Sequence, residues 1–139
     1  MSVDLCRPIE LPVVPDVQGN LVFAEAGEHV PFEIARVFVV YGVPTGAQRG
    51  GHCHRRLEQA LFCLSGEMEV AVTDGRDRRR VRLADPRAGI YLPPLVWHDL
   101  GRFSPGTVYM VLTSEPFDET DYVRDHGEYL RLVGADEVS

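Results

Sequence analysis

Two histidines, His52 and His54, stand two residues apart in the run Arg49-Gly50-Gly51-His52-Cys53-His54-Arg55-Arg56-Leu57-Glu58, which turns strongly apolar at Ala60-Leu61-Phe62-Cys63-Leu64. Side chains two apart on an extended strand share a face, so the spacing predicts both imidazoles in one pocket. The same parity, carried on without a bulge, brings Glu58 into that pocket. Such a pair is open to two chemistries: neutral ring nitrogens bind a metal, and an imidazole that titrates near pH ~6.5 moves protons. A third histidine, His98, opens another predicted strand and is a further candidate for the pocket.

The chain around them is 139 residues long, 45% hydrophobic and 25% charged, which suits one domain over residues 1–139 with a single core. A net charge of −7 argues against a nucleic-acid or anionic-membrane surface, since either needs a basic face. No apolar run approaches the roughly 20 residues of a membrane span, and the start Met1-Ser2-Val3-Asp4-Leu5 has no signal-peptide pattern. A cytoplasmic protein is expected. All 14 basic residues are arginine, which removes Schiff-base chemistry and an internal pyridoxal aldimine. Cys6, Cys53 and Cys63 are odd in number, form no C-x-x-C pair and read as small buried thiols. There is no nucleophile elbow, P-loop or dinucleotide fingerprint.

Several elements must position the histidines. Prolines at 8, 12 and 15, an Ile9–Val14 strand of edge character, a turn at Asp16–Asn20 and a strand at Leu21–Glu25 predict an N-terminal β-hairpin arm over 1–26 that pairs with something else. Ile34–Tyr41 is β-branched and aromatic throughout and reads as a strand buried on both faces. Gly42–Gly51 is a loop delivering the chain to His52. Asp74-Gly75 predicts a hairpin, with Met68, Val70 and Val72 on one side and Val81 and Leu83 on the other. The arginines at 76, 78, 79, 80 and 82 fit its solvated tip and outward residues. Ile90–His98 reads as a strand, a proline turn and the start of the next strand, and only Asp118–Leu132 looks helical. Eight or nine short strands with little helix predict an all-β, double-sheet barrel or jelly roll.

Two blocks resemble the cupin motifs. Gly46 is followed by His52-x-His54, Glu58 and Gly66, and later come Pro93-x-Leu95-x-x-His98, with Leu95 where the second motif has glycine. The resemblance implies a cupin-like double-stranded β-helix with a short C-terminal helix. In metal-dependent cupins the matching residues, His52, His54, Glu58 and His98, are ligands, and such a set suits Fe, Mn, Ni or Zn. A narrower resemblance, carried by Arg36-Val37-Phe38, Arg49-Gly50-x-His52-x-His54-Arg55-Arg56-Leu57-Glu58-Gln59, Trp97-His98 and Phe117–Arg124, is to the sugar 3,4-ketoisomerases. Asp16-x-Gln18-Gly19-x-Leu21 matches as well, although that family's pattern has arginine at position 18 and alanine at 53.

What this second resemblance implies is a cofactor-free isomerase with no metal, acting on dTDP-4-keto-6-deoxyglucose to supply 3-keto sugars for 3-amino-3,6-dideoxyhexoses. It implies His52 as the base at C3, His54 as its proton-shuttling partner, and a homodimer made by exchange of the N-terminal strands. Further roles follow from it: Arg49 on the diphosphate, Tyr91 and Trp97 lining the sugar or thymine pocket or an aromatic core, Glu58 orienting a histidine, and His98 in the pocket. Cys53 should point away, and His29 and His126 should be solvated. A metal-dependent cupin enzyme and a non-catalytic sugar-binding cupin are the alternatives.

Overall fold

β-branched and aromatic runs cut by Gly and Pro turns fold into two antiparallel five-stranded sheets packed face to face, in a computed structural model that describes residues 3–135. Numbered in chain order, the first sheet runs β1 (Arg7–Glu10), β9 (Ala88–Leu92), β6 (Gln59–Ser65), β11 (Val108–Thr113) and β4 (Arg36–Val40) across its width. The second runs β12 (Tyr122–Val123), β5 (Arg49–His54), β10 (Trp97–Gly101), β7 (Met68–Thr73) and β8 (Arg78–Leu83). A separate hairpin pairs β2 (Val13–Asp16) with β3 (Gly19–Val22), and one short α-helix, α1 (His126–Leu132), lies near the end of the described residues. This is the expected all-β jelly roll.

Alternation builds the core between the sheets. Met68, Val70 and Val72 of β7 and Leu100 of β10 point inward against Leu61, Ile90, Tyr109 and Val111 of the other sheet. The hairpin joining β7 to β8 is held by its own aspartate: Asp74 accepts from the backbone N–H groups of Arg76 and Asp77 and from that of Val3. Arg78, Arg80 and Arg82 project to solvent, whereas Arg79 is half-buried and donates to the Cys6 carbonyl.

Two expectations shift. Strand β4 is not buried on both faces: it is an edge strand, with Val37 55% and Val39 47% exposed. An apolar run cannot by itself tell a central strand from an uncovered edge. The helix expected over Asp118–Leu132 shrinks to α1, because Asp118 caps a single 3-10 turn at Glu119–Asp121 and Tyr122–Val123 then pairs with β5. In the 1–26 arm, β1 pairs with β9 of the same chain, while the β2–β3 hairpin leaves Val14, Val17 and Leu21 exposed.

Candidate active site

Strand pairing places the histidines. His52 on β5 lies directly across from His98 on β10, and the register slips by a bulge between His98 and Asp99. Gly50 and Gly51 make the bulge possible: both have positive φ, and a Cβ on Gly50 would come within 2.9 Å of the His98 carbonyl oxygen. The His52 ring is then 4.6 Å from that of His98 and 5.0 Å from that of His54, centroid to centroid. Tyr122 of β12, paired with His54, sets its ring 4.9 Å from His52 and 4.5 Å from His54. These groups face a cavity of about 440 Å³ between the sheets, which Arg36, Arg49 and Arg124 also line.

The parity that unites His52 and His54 does not extend to Glu58. Strand β5 ends at His54, the chain bends through residues 55–58, and β6 starts in the opposite sheet. The bend is fastened from outside: the Arg56 and Leu57 N–H groups donate to the Asp121 carboxylate, and the Glu58 N–H donates to Ser114 Oγ. Glu58 therefore turns away and accepts a 2.6 Å hydrogen bond from the Tyr91 hydroxyl. Gln59 takes the inward place, buried, with Nε2 at 3.4 Å from His98 Nε2.

Of the other predicted site residues, His98 is buried in the cluster and Arg49 lines the cavity, its Nε–H donating to the Tyr109 hydroxyl at 3.0 Å. Tyr91 and Trp97 are elsewhere. Tyr91 packs against Phe32, and Trp97, on the outer face of β10, packs with Cys53, Val123 and Tyr129 beneath α1. Glu58, Tyr91 and Trp97 thus lie outside the histidine cavity of this chain. Cys53 points away from it as expected; His29 is half-buried and accepts from the Glu25 N–H, and His126 is exposed at the edge of Trp97. Leu95, where the cupin pattern has glycine, adopts φ 65° and returns its N–H to the His54 carbonyl. The left-handed conformation explains the glycine of that pattern.

Sequence reasoning assigned no role to Gln59, Asp121, Tyr122, Arg36 or Arg124. All five stood inside the quoted motifs, so the signal was present, but nothing local said which of those side chains turn inward. Asp121 is 1% exposed, with Oδ2 at 3.1 Å from His54 Nδ1. Arg124 is gripped by both oxygens of Glu119 and lies 4.2 Å over the Tyr122 ring.

Burial decides the charge state of the cluster. The His52 pKa is lowered to about 4, chiefly because burial penalises the imidazolium and next because His54 is close. Burial lowers His54 too, against the opposing pull of the Asp121 carboxylate, and holds His98 well below the ordinary value. At neutral pH the three rings are neutral and their lone pairs are available. Their nitrogens lie within 4.8 Å of one another, so His52, His54 and His98 could together hold a divalent ion, with Glu58 withdrawn from the set.

Comparisons with known proteins place this geometry. A curated TDP-4-oxo-6-deoxy-α-D-glucose-3,4-oxoisomerase from Aneurinibacillus thermoaerophilus is 37% identical over 127 residues, 91% of each chain. A sugar 3,4-ketoisomerase from Thermoanaerobacterium thermosaccharolyticum, solved with TDP, superposes with a TM-score of 0.91 at 33% identity over 96% of this chain and 97% of that one. A histidine-to-asparagine variant of the same enzyme, solved with TDP-4-keto-6-deoxyglucose, gives 0.91 at 32% identity over the same shares. The family model described as FdtA, WxcM-like, C-terminal, matches residues 4–134, and the chain belongs to that family.

Proposed function

We propose that this isomerase moves the ketone of a dTDP-4-keto-6-deoxyhexose from C4 to C3 by histidine acid/base catalysis. The observation that carries the reading is the pair of neutral imidazoles, His52 and His54, side by side on one wall of a cavity that three arginines also line. The C4 carbonyl acidifies the hydrogen on C3. His52 removes that proton and, as the imidazolium so formed, returns one to the C4 oxygen, and an enediol forms. Loss of the proton from the C3 oxygen, with protonation at C4, leaves the ketone one carbon along. Groups whose lone pairs are free at working pH suit such transfers, each contributing typically about 10²–10⁴-fold. His54 passes protons between the oxygens and C4.

Arg49, with Arg36 and Arg124, supplies fixed positive charge for the diphosphate. The neighbours described above bind TDP and TDP-4-keto-6-deoxyglucose, which supports the same substrate class here. A ketone at C3 is what an aminotransferase needs to install a 3-amino group, so 3-amino-3,6-dideoxy sugars are the expected end products. A nucleotide-linked sugar as substrate supports a cytoplasmic location. Among the described residues no helix is long and apolar enough to cross a membrane.

Incubation with dTDP-4-keto-6-deoxyglucose in D₂O tests the reading. Mass spectrometry and NMR should find a 3-keto product carrying deuterium at C4. Product without deuterium, or no product, would sink it.

We also infer a homodimer formed by exchange of the 1–26 arm. Val14, Val17 and Leu21 on the hairpin, and Val37, Val39 and Tyr41 at the uncovered β4 edge, are the apolar surfaces such an exchange would bury. Light scattering should give twice the 15.5 kDa chain mass, and a monomer at micromolar concentration would refute it.

A further inference from the structure

The ketoisomerase reading leaves open what keeps one histidine in the protonation pattern that the chemistry needs. His54 faces the cavity beside His52, His98, Tyr122 and Arg124, and behind it, away from the cavity centre, stands a buried carboxylate. Asp121 ends the 3-10 turn Glu119–Asp121, immediately before the residue that pairs with His54. Its backbone is pinned as well: the Arg55 N–H donates to its carbonyl, and its own N–H donates to the Asp118 carbonyl.

The two carboxylate oxygens do different work. Oδ1 accepts the Arg56 N–H at 2.7 Å. Oδ2 accepts the Leu57 N–H at 3.3 Å and faces His54 Nδ1 at 3.1 Å. A carboxylate only accepts, so Nδ1 must carry the hydrogen, and in the neutral ring the lone pair is then on Nε2. Had Asp121 served only to tie the bend at 55–58, the two backbone bonds would have sufficed.

We propose that Asp121 is the positioning residue of the reaction: it holds His54 as the Nδ1–H tautomer, presents the Nε2 lone pair to the cavity and stabilises the imidazolium formed when Nε2 accepts a proton. The inference rests on the ketoisomerase reading for its purpose, though not for its geometry. In the second half-reaction Nε2 takes the proton of the C3 hydroxyl. The O–H electron pair stays with oxygen and becomes the second bond of the C3 carbonyl, and the former C=C pair takes at C4 the proton that Nε2 has accepted, which returns His54 to its neutral form. Asp121 touches no reacting atom.

Asn at this position separates the two jobs. Its amide oxygen keeps the short 2.7 Å bond from the Arg56 N–H at the expense of the longer 3.3 Å bond from Leu57, which puts the NH₂ group where Oδ2 was, against His54 Nδ1. Two donors cannot face one another, so the imidazole must switch to the Nε2–H tautomer, with a hydrogen where the lone pair is required.

The experiment begins with unaltered protein labelled with ¹⁵N-histidine, His54 being assigned by the loss of its signals in His54→Gln. NMR at neutral pH should show Nδ1 protonated and Nε2 bare; an Nε2–H tautomer overturns the proposal whether or not any variant folds. In Asp121→Asn the tautomer should switch and kcat should fall about 10²–10⁴-fold with KM near that of the parent enzyme. Parental kcat in folded Asp121→Asn, or a lost kcat with the tautomer unchanged, also overturns it. Deuterium uptake by the unaltered enzyme is measured alongside; its absence would count against the isomerase reading, while the tautomer measurement would still judge the Asp121–His54 geometry.

Discussion

His52→Asn should lose turnover of dTDP-4-keto-6-deoxyglucose on the order of 10³-fold while binding TDP as the parent enzyme does. The two halves of that expectation have separate causes. Asparagine has no lone pair basic enough to take a proton from carbon, so the C3 hydrogen stays where it is. Binding survives because Arg36, Arg49 and Arg124 are untouched, and because a smaller polar side chain fits a half-buried position facing the cavity. The strand should hold its course, since Gly50, Gly51 and the His98 pairing set the bulge through the backbone. Steady-state kinetics and TDP titration by calorimetry measure the two parts. Near-parental turnover would move the base to another residue of the cluster. Loss of nucleotide binding together with turnover would mean that the substitution damages the pocket rather than the chemistry.

A second large effect is expected far from the histidines, at Gly89→Ala in β9. Gly89 sits where β9 runs between β1 and β6, opposite Ile9. A Cβ there would lie 2.4 Å from two ring carbons of Phe62 and 2.5 Å from the Leu61 carbonyl oxygen. Phe62 is fully buried beside Ala60 and Leu112, so its ring has little room to retreat, and the carbonyl belongs to the central strand β6. Overpacking of this kind costs about 3 kcal/mol. For a domain of this size that is a fall of roughly 10 °C in Tm, to be read by calorimetry. An unchanged Tm would mean that Phe62 has an alternative rotamer with space to receive it. The same strand carries Tyr91, whose hydroxyl anchors Glu58, so the damage should spread to the bend that precedes Gln59.

Local pattern carried much of this. The alternation of Met68, Val70 and Val72, the Asp74-Gly75 turn and the frequent Gly and Pro breaks were enough for an all-β double sheet, because strand parity and turn chemistry are properties of neighbouring residues. The exposed edge at Val37 and Val39 escaped the same reasoning, since whether a strand is covered depends on segments distant in sequence. Tyr91 and Trp97 looked like pocket aromatics for a similar reason. Their neighbours, Phe32 in one case and Tyr129 in the other, are brought up only by folding.

At the site the division runs between His54 and Glu58. By itself the sequence determined that two imidazoles share a face, that no lysine is present for iminium chemistry, and that the motifs around them belong to a ketoisomerase family. Tertiary structure alone decided that the parity breaks at 55–58, so that Gln59 replaces Glu58, that His98 stands across from His52, and that a carboxylate 67 residues away backs His54. The physical reason is the range of the forces involved. Side-chain alternation is built into each residue's backbone, whereas the bend and the histidine's partner are held by hydrogen bonds that exist only once β12 has paired with β5.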